Sequence, residues 1–324
     1  MPILNLPPTL DLNYYRTTHS ELNFLSDAAL TAHYEKFAEA QGLSSCPYDR
    51  REYLQYFLQL EIDKRHLRVL EISPWNNPFL KGDSVKYFEV ADVETLRESA
   101  VKHDRSVDNI PEKIHFVSPT GDLSVVDEKF DIVFSSHVIE HVPDPITHFQ
   151  AVSRILNAGG LYVLIIPDKR FCLDHYNAET TLSDVMDAFI CERKISRLAD
   201  VINSIFTSTH SNPVRHWLGD HGERFGLRDE STTESAGTVE ILGEVFSDDG
   251  KNLPEKIFRV VEKYAETLEQ GKYIADVHNW RFTPDSFGHI VNVLNKFNFI
   301  DLSIYRLCRT LWGRFEFIAM LERR

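Results

Sequence analysis

The densest group of reactive side chains in this sequence is His137-Val138-Ile139-Glu140-His141, two imidazoles with a carboxylate between them. Read literally it is H-x-x-E-H, the inverted zinc-peptidase signature. On a helix the two histidines would share one face and could bind zinc, with Glu140 as base. The flanks oppose that reading. Phe130–Ser135 runs into the group as a buried strand, and Val142-Pro143-Asp144 follows the second histidine at once. Any helix there is limited to about one turn.

Two further sets of residues have the right chemistry. Glu71, Glu89 and Asp122 each follow a short apolar run, where a carboxylate can accept hydrogen bonds from hydroxyls or an amino group. His175 lies in Asp174-His175-Tyr176, and His216 and His221 flank Trp217-Leu218-Gly219-Asp220. Imidazoles titrate near neutrality and suit general-base work, although most of the 14 histidines are expected to be packed or on the surface.

The elements that must position these groups can be read from periodicity. Leu67–Ile72, Val85–Val90, Ile114–Val117, Phe130–Ser135 and Leu161–Ile166 are predicted strands, and the nearly continuous apolar runs suit parallel strands buried on both faces. Helices are predicted over 26–40, over 48–60 with Tyr53, Phe57 and Leu60 on one face, and over 92–103 with Asp92 as N-cap. Another starts at Asp144-Pro145 and is stopped by Gly159-Gly160. Thr181-x-x-Asp184 opens a helix continuing patchily to Phe206, Pro254–Gln270 forms another ended by Gly271, and Thr283-Pro284 starts the last. Phe299–Leu307 and Phe315–Leu321 then form an antiparallel hairpin at a sheet edge, because their connection is too short for a parallel crossover.

The expected fold class is therefore α/β, a doubly wound, mostly parallel sheet of seven strands, Rossmann-like, closed by a C-terminal antiparallel pair. Residues 1–64 are expected to be an N-terminal helical extension, 65–169 the cofactor-binding core, 170–276 a helical cap or insertion, and 277–324 the helix and strand pair that complete the core. Ligands of such sheets sit at the carboxyl ends of the strands. That rule singles out Glu71, Glu89 for the two hydroxyls of a cofactor ribose, Asp122 for an adenine amino group, and the residues after strand four.

Bulk properties exclude several classes. With 324 residues, 43% of them hydrophobic, the chain can bury a large core. A formal net charge of −14 argues against a general nucleic-acid grip. Cys46, Cys172, Cys191 and Cys308 form no C-x-x-C pair and read as buried free thiols. No segment is apolar for the length of a membrane span and no signal peptide is evident, so a soluble cytoplasmic protein without integral membrane association is expected. Nothing in the sequence fixes an oligomeric state.

Four runs, L-R-V-L-E-I-S-P, V-K-Y-F-E-V, F-D-I-V-F-S-S-H-V-I-E-H-V-P-D-P and L-N-A-G-G-L-Y-V-L-I-I-P-D, together resemble the class I S-adenosylmethionine-dependent methyltransferases. In particular the chain looks like bacterial methyltransferase-domain proteins often linked to glycan biosynthesis. The likeness is strongest over residues 65–170 and continues in D-V-H-N-W-R-F-T-P-D-S-F and R-F-E-F-I-A-M-L near the end. By that resemblance S-adenosyl-L-methionine is the cofactor, and Glu71 helps hold its methionine end, Glu89 its ribose and Asp122 its adenine. Ser73, Asn76, Ser135, Ser136 and His137 line the cofactor, and no metal is called for. The first turn departs from the family's glycine-rich E-x-G-x-G-x-G pattern. Glu71-Ile72-Ser73-Pro74-Trp75-Asn76-Asn77-Pro78 has no glycine, so Asn76 or Asn77 is expected to supply a left-handed residue.

The resulting expectation is methyl transfer to a hydroxyl of a small molecule or glycan, with His141 or His175 as the catalytic base. A methyltransferase fold that has lost its chemistry and serves as a binding or scaffold protein is the alternative. A zinc hydrolase using His137, Glu140 and His141 is a remote one. A dinucleotide oxidoreductase is disfavoured by the absence of G-x-G-x-x-G.

Overall fold

The computed structural model of the chain describes residue 4 and residues 10–224, 253–269 and 277–324. Seven strands form one sheet: β1 (Val69–Ile72), β2 (Val85–Glu89), β3 (Phe116–Val117), β4 (Phe130–Ser136), β5 (Leu156–Pro167), β6 (Leu302–Cys308) and β7 (Glu316–Arg323). Their order is β3-β2-β1-β4-β5-β7-β6. The first five strands pair in parallel, and β7 is antiparallel to both β5 and β6. The expected hairpin is present, with β7 on the sheet and β6 outermost. The chain winds outward from β1 to β3 and then outward again from β4, so β1 and β4 flank the point where the winding reverses. That is where a doubly wound sheet leaves a crevice at its carboxyl edge.

Side chains alternate across the sheet with a period of two. Leu161, Val163 and Ile165 of β5, with Ile132 and Phe134 of β4, face one apolar layer. Tyr162, Leu164 and Ile166, with Val133, face the other, where Phe149, Phe287, Val291 and Leu294 pack. The second layer is built by the helices Pro145–Ile155 and Pro284–Lys296. Each starts as the sequence indicates. Asp144 accepts the N–H groups of Ile146 and Thr147, Thr283 accepts that of Ser286, and each is followed by proline.

The first layer is covered differently. Residues 73–84 join β1 to β2 without a helix. The helix Arg51–Arg65, which precedes β1 in the chain, lies on that face instead and buries Leu54, Leu58 and Ile62. The aromatic stripe of Tyr53, Phe57 and Leu60 is not the buried one, and Tyr53 and Leu60 are exposed. Both stripes have helical spacing, and the flat pleat of the sheet is filled by the compact aliphatic one. Each of those three side chains is worth roughly 1.5–3 kcal/mol of burial.

Other expectations change in detail. Gly159-Gly160 does not stop the helix, which ends at Ile155 because Leu156 already pairs with Phe130. The glycines lie inside β5, at an irregularity where the register moves from Phe130↔Leu156 to Ile132↔Leu161. Gly159 takes φ +74° there, and a Cβ on Gly160 would meet the carbonyl oxygens of Asn157 and Asp131 at 2.9 and 3.0 Å. The segment after Thr181 forms two helices, Leu182–Ile190 and Leu198–Phe206, rather than one. Helix Leu253–Glu269 matches the predicted one, while its expected Gly271 stop lies outside the described residues. All four cysteines are free, but Cys191 is exposed. No described helix is long and apolar enough to cross a membrane.

Candidate active site

The carboxyl ends of β1, β2 and β4 and the turn after β5 carry the polar residues. After β1 the chain turns sharply, and the left-handed residues are Ser73 (φ +53°) and Trp75 (φ +43°), not Asn76 or Asn77. Hydrogen bonds explain the choice. The Ser73 N–H donates to the Phe88 carbonyl at 2.8 Å and the Trp75 N–H to Glu89 Oε1 at 2.9 Å, which pins both residues against β2. Asn76 donates instead to the Ser106 carbonyl, 3.3 Å away. A non-glycine residue in this region costs about 1–2 kcal/mol, which those two bonds help to offset.

The two acids beneath the turn are its anchors. Glu71 is buried and accepts the N–H groups of Phe79 and Leu80 at 2.7 and 2.9 Å. Burial raises its pKa to about 7 against the lowering effect of those two bonds. Glu89, also buried, accepts from Trp75 and from its neighbour Val90, and burial raises its pKa as well. Asp122 lies at the surface as the cap of a short 3-10 turn. Both its oxygens accept from Ser124, which lowers its pKa.

The segment after β4 is not a helix. β4 ends at Ser136, His137 takes φ +56°, and residues 138–141 turn. His137 and His141 therefore do not share a helical face. Ser135 is buried and bonds the Tyr162 hydroxyl at 2.9 Å, and that hydroxyl also meets His148 Nε2 at 3.0 Å. Ser136 Oγ is buried without a hydrogen-bond partner.

His137 lies between two carboxylates. Its Nε2 is 2.7 Å from Glu316 Oε2 and its Nδ1 is 3.4 Å from Glu140 Oε1. Burial alone would lower its pKa, but the two carboxylates outweigh burial and push it up to about 9. It is an imidazolium at neutral pH. Arg51 closes this line by pairing with Glu316 at 3.0 Å. Glu140 is 1% exposed and makes no hydrogen bond through its side chain. Burial would raise its pKa, and His137, His141 and His278 together pull it below the usual value.

A distant segment completes the group. Val277–Phe282 crosses the post-β4 turn, with the Asn279 and Trp280 N–H groups donating to the Glu140 carbonyl and the Trp280 indole to that of Val142. This crossing brings His278 edge-on to His141, with 4.8 Å between ring centroids. His278 Nδ1 bonds Asp174, and Asp174 is held well below the carboxylate range, at about 2, because His278 and Arg281 outweigh its burial. Arg281 in turn bonds Asp200 at 2.7 Å. Charges of opposite sign thus alternate from Arg51 through Glu316 and His137 to Glu140, and from Asp174 through Arg281 to Asp200. Sequence reasoning missed His278, Asp174, Arg281, Glu316 and Arg51. The one available signal was His278 and Arg281 standing beside Trp280 just ahead of the Thr283 cap.

The two expected bases fall into different groups. His141 belongs with Glu140 and His278, whereas His175 stacks on His221 with 3.6 Å between centroids and lies near His216. His175 Nδ1 bonds the Arg170 carbonyl at 2.9 Å, and His216 Nε2 bonds that of His210 at 2.9 Å. Burial lowers the pKa of His216 to about 4, so it is neutral. Among the described residues, both groups bring three metal-capable atoms within 4.8 Å of one another.

A sheet of this order, with acids at the ends of successive strands, defines a class of nucleotide-cofactor proteins, and comparison with known proteins gives the family. Residues 46–219, more than half of the chain, match the family described as "Methyltransferase domain". The chain belongs to that family, whose cofactor is S-adenosylmethionine. Among curated proteins it is similar to the ubiquinone biosynthesis O-methyltransferase of Cereibacter sphaeroides, 43% identical over 42 residues, which is 13% of this chain and 17% of that protein. Among solved structures it is similar to an S-adenosylmethionine-dependent methyltransferase from Clostridium acetobutylicum (12% identity, 47% of this chain and 62% of that one, TM-score 0.28). It is also similar to a possible histamine N-methyltransferase from Thermotoga maritima (22% identity, 43% and 59%, TM-score 0.26). The chain spans less than two thirds of the length of each of these proteins.

The residues present fit this cofactor. Each oxygen of Glu89 accepts one backbone N–H, and a carboxylate oxygen has two lone pairs, so each retains capacity for a ribose hydroxyl. The Ser136 hydroxyl at the end of β4 is buried without a hydrogen-bond partner, so it too has unused hydrogen-bonding capacity.

Proposed function

We propose that this chain transfers a methyl group from S-adenosylmethionine to an oxygen of a small molecule or glycan. The observation that carries the reading is the family match, which spans β1 to β5 and the turn between β4 and its following helix. Oxygen as acceptor is supported by the O-methyltransferase relative, and a small molecule or glycan by the acidic net charge, which disfavours nucleic acid. The cytoplasm is the proposed compartment.

The cofactor supplies an electrophilic sulfonium methyl group. In this reading Glu89 accepts the ribose hydroxyls, Asp122 the adenine amino group, and Glu71 holds the turn that carries Ser73 and Asn76 along the methionine end. Ser136 and His137 complete the cofactor side, while Ser135 is engaged by Tyr162. The described helices Leu182–Ile190, Leu198–Phe206 and Leu253–Glu269 serve in this reading as a cap for the acceptor. With the cofactor bound, its sulfonium would give up the methyl to the acceptor oxygen and keep the bonding electron pair, and a base of the His141 or His175 groups would take the hydroxyl proton. Most of the acceleration comes from holding donor and acceptor in line.

The competing reading, a binding protein without chemistry, draws on the glycine-free turn whose N–H groups are already satisfied by Glu71 and Glu89. Calorimetric titration with S-adenosylhomocysteine separates the two. Saturable binding that Glu89→Ala weakens by about tenfold or more supports methyl transfer, since a lost charged hydrogen-bond acceptor is worth roughly 1.5–3 kcal/mol. No binding at millimolar ligand would sink it.

A further inference from the structure

The turn after β1 carries a large side chain with no task so far. Trp75 stands in register with the second glycine of E-x-G-x-G-x-G and holds φ +43°. A bulky residue in the left-handed region is an outlier, and such residues persist where their surroundings fix them, often at ligand clamps. Here the surroundings are β2 and the approach to β3. The Trp75 N–H donates to Glu89 Oε1 at 2.9 Å, and the Ser73 N–H to the Phe88 carbonyl at 2.8 Å. Asn76 donates to the Ser106 carbonyl, in the connection that leads into β3. The turn is thus tied to the strand ends after which Glu89 and Asp122 stand.

Two other indoles are engaged within the fold. Trp217 stacks on Phe171 with 3.9 Å between centroids and donates to the Arg314 carbonyl, and Trp280 donates to the Val142 carbonyl. The Trp75 indole is 36% exposed and, among the described residues, makes neither a ring contact nor a hydrogen bond through its N–H. Val90, directly after Glu89, is 37% exposed. Two open apolar side chains therefore flank the Glu89 carboxylate, one through the Trp75 N–H and one through chain continuity. The N–H groups of Ser73 and Trp75 are already taken by Phe88 and Glu89, so what this turn has left to offer a ligand is a side chain. A flat ring joined to a diol is the ligand that such a pairing of indole and carboxylate suits.

We propose that the Trp75 indole stacks on the adenine of the bound cofactor, supplying with a side chain the contact that a glycine-rich turn makes with its backbone. This contact rests on the S-adenosylmethionine reading of the site and falls to a residue that the family pattern leaves out. The Trp75 N–H couples it to the ribose acceptor, because the carboxylate that takes the hydroxyls also fixes the backbone from which the indole projects. Stacking on an aromatic face tolerates any base, so Trp75 contributes affinity and leaves the choice of base to polar groups.

The test uses the full chain and S-adenosylhomocysteine, followed by calorimetry and by tryptophan emission. The ligand quenches the emission of the wild-type chain. Trp75→Phe loses most of that quench but keeps an aromatic face, and it binds within about threefold of wild type. Trp75→Ala and Trp75→Gly each weaken binding at least about fivefold, the loss of one base–aromatic stack, although glycine also relieves the left-handed strain. In proton spectra of the complex, the adenine ring protons show Overhauser contacts to an indole, and these vanish in Trp75→Phe. Thermal unfolding establishes that each variant is folded, and the spectra and Trp75→Phe decide if the smaller residues are not tolerated. Folded Trp75→Ala and Trp75→Gly chains that bind as tightly as wild type overturn the stack and leave the methyl-transfer reading standing. So do Overhauser contacts from the indole to the homocysteine end alone. A wild-type chain that binds no S-adenosylhomocysteine at millimolar concentration removes both.

Discussion

Raising the pH past 9 should release one identifiable contribution to stability. His137 has an ordinary pKa of 6.5 and is pushed up to about 9 in the folded chain by Glu140 and Glu316, against its burial. At about 1.36 kcal/mol per unit, that difference is worth about 3 kcal/mol. The group binds its proton more tightly when folded. Its contribution is therefore fully present below pH about 6.5, where both states are protonated, and is lost as pH rises through about 9. Two measurements check this. Urea unfolding of the wild-type chain at a series of pH values should show stability falling by about 3 kcal/mol across that window from this group. In parallel, the His137 ring-proton resonance, assigned by its absence in His137→Gln, should titrate near 9. A resonance that titrates at or below the ordinary value would refute the claim that two carboxylates hold an imidazolium here.

Three other substitutions probe the scaffold. Arg281→Met removes the cation buried between Asp174 and Asp200 and should cost about 3–5 kcal/mol by denaturant unfolding, because both carboxylates stay buried. Tyr162→Phe takes a shared hydroxyl from Ser135 and His148 and should cost about 1–3 kcal/mol, with little change in the fold by circular dichroism. Gly160→Ala drives a Cβ against two backbone carbonyls that cannot yield, and a loss of about 1–3 kcal/mol is expected in the same assay.

Much of the sheet was readable because its signals are local. Apolar runs gave β1, β2, β4 and β5, and Asp92, Asp144, Thr181 and Thr283 marked helix starts that the structure bears out. Errors arose where a distant partner decided the outcome. Leu156 joins β5 because Phe130 is waiting for it, which no helical periodicity can reveal. The helix before β1 offered two stripes at the same spacing, and the sheet chose between them. Glu71 in β1 and Glu89 at the end of β2 stand where the strand pattern put them, since position in a doubly wound sheet is a topological property, whereas Asp122 lies beyond β3 as the cap of a 3-10 turn. The ionic lines from Arg51 through Glu316 and His137 to Glu140, and from His278 through Asp174 and Arg281 to Asp200, join residues far apart in sequence. Nothing local marks Glu316 as the partner of His137, and only folding brings His278 onto His141.

The helix Arg51–Arg65 has a consequence for where this fold can be cut. A fragment starting at β1 would keep every strand and every cofactor-side acid named above. It would also strip Leu54, Leu58 and Ile62 from the apolar layer they share with Val69, Ile132 and Val163, leaving Phe79, stacked on Phe134, and Leu80 as the cover that the β1–β2 connection provides. An apolar layer opened in this way invites self-association. A fragment that begins upstream of Arg51 keeps this cover, so it is expected to stay monomeric at concentrations where one beginning at β1 associates.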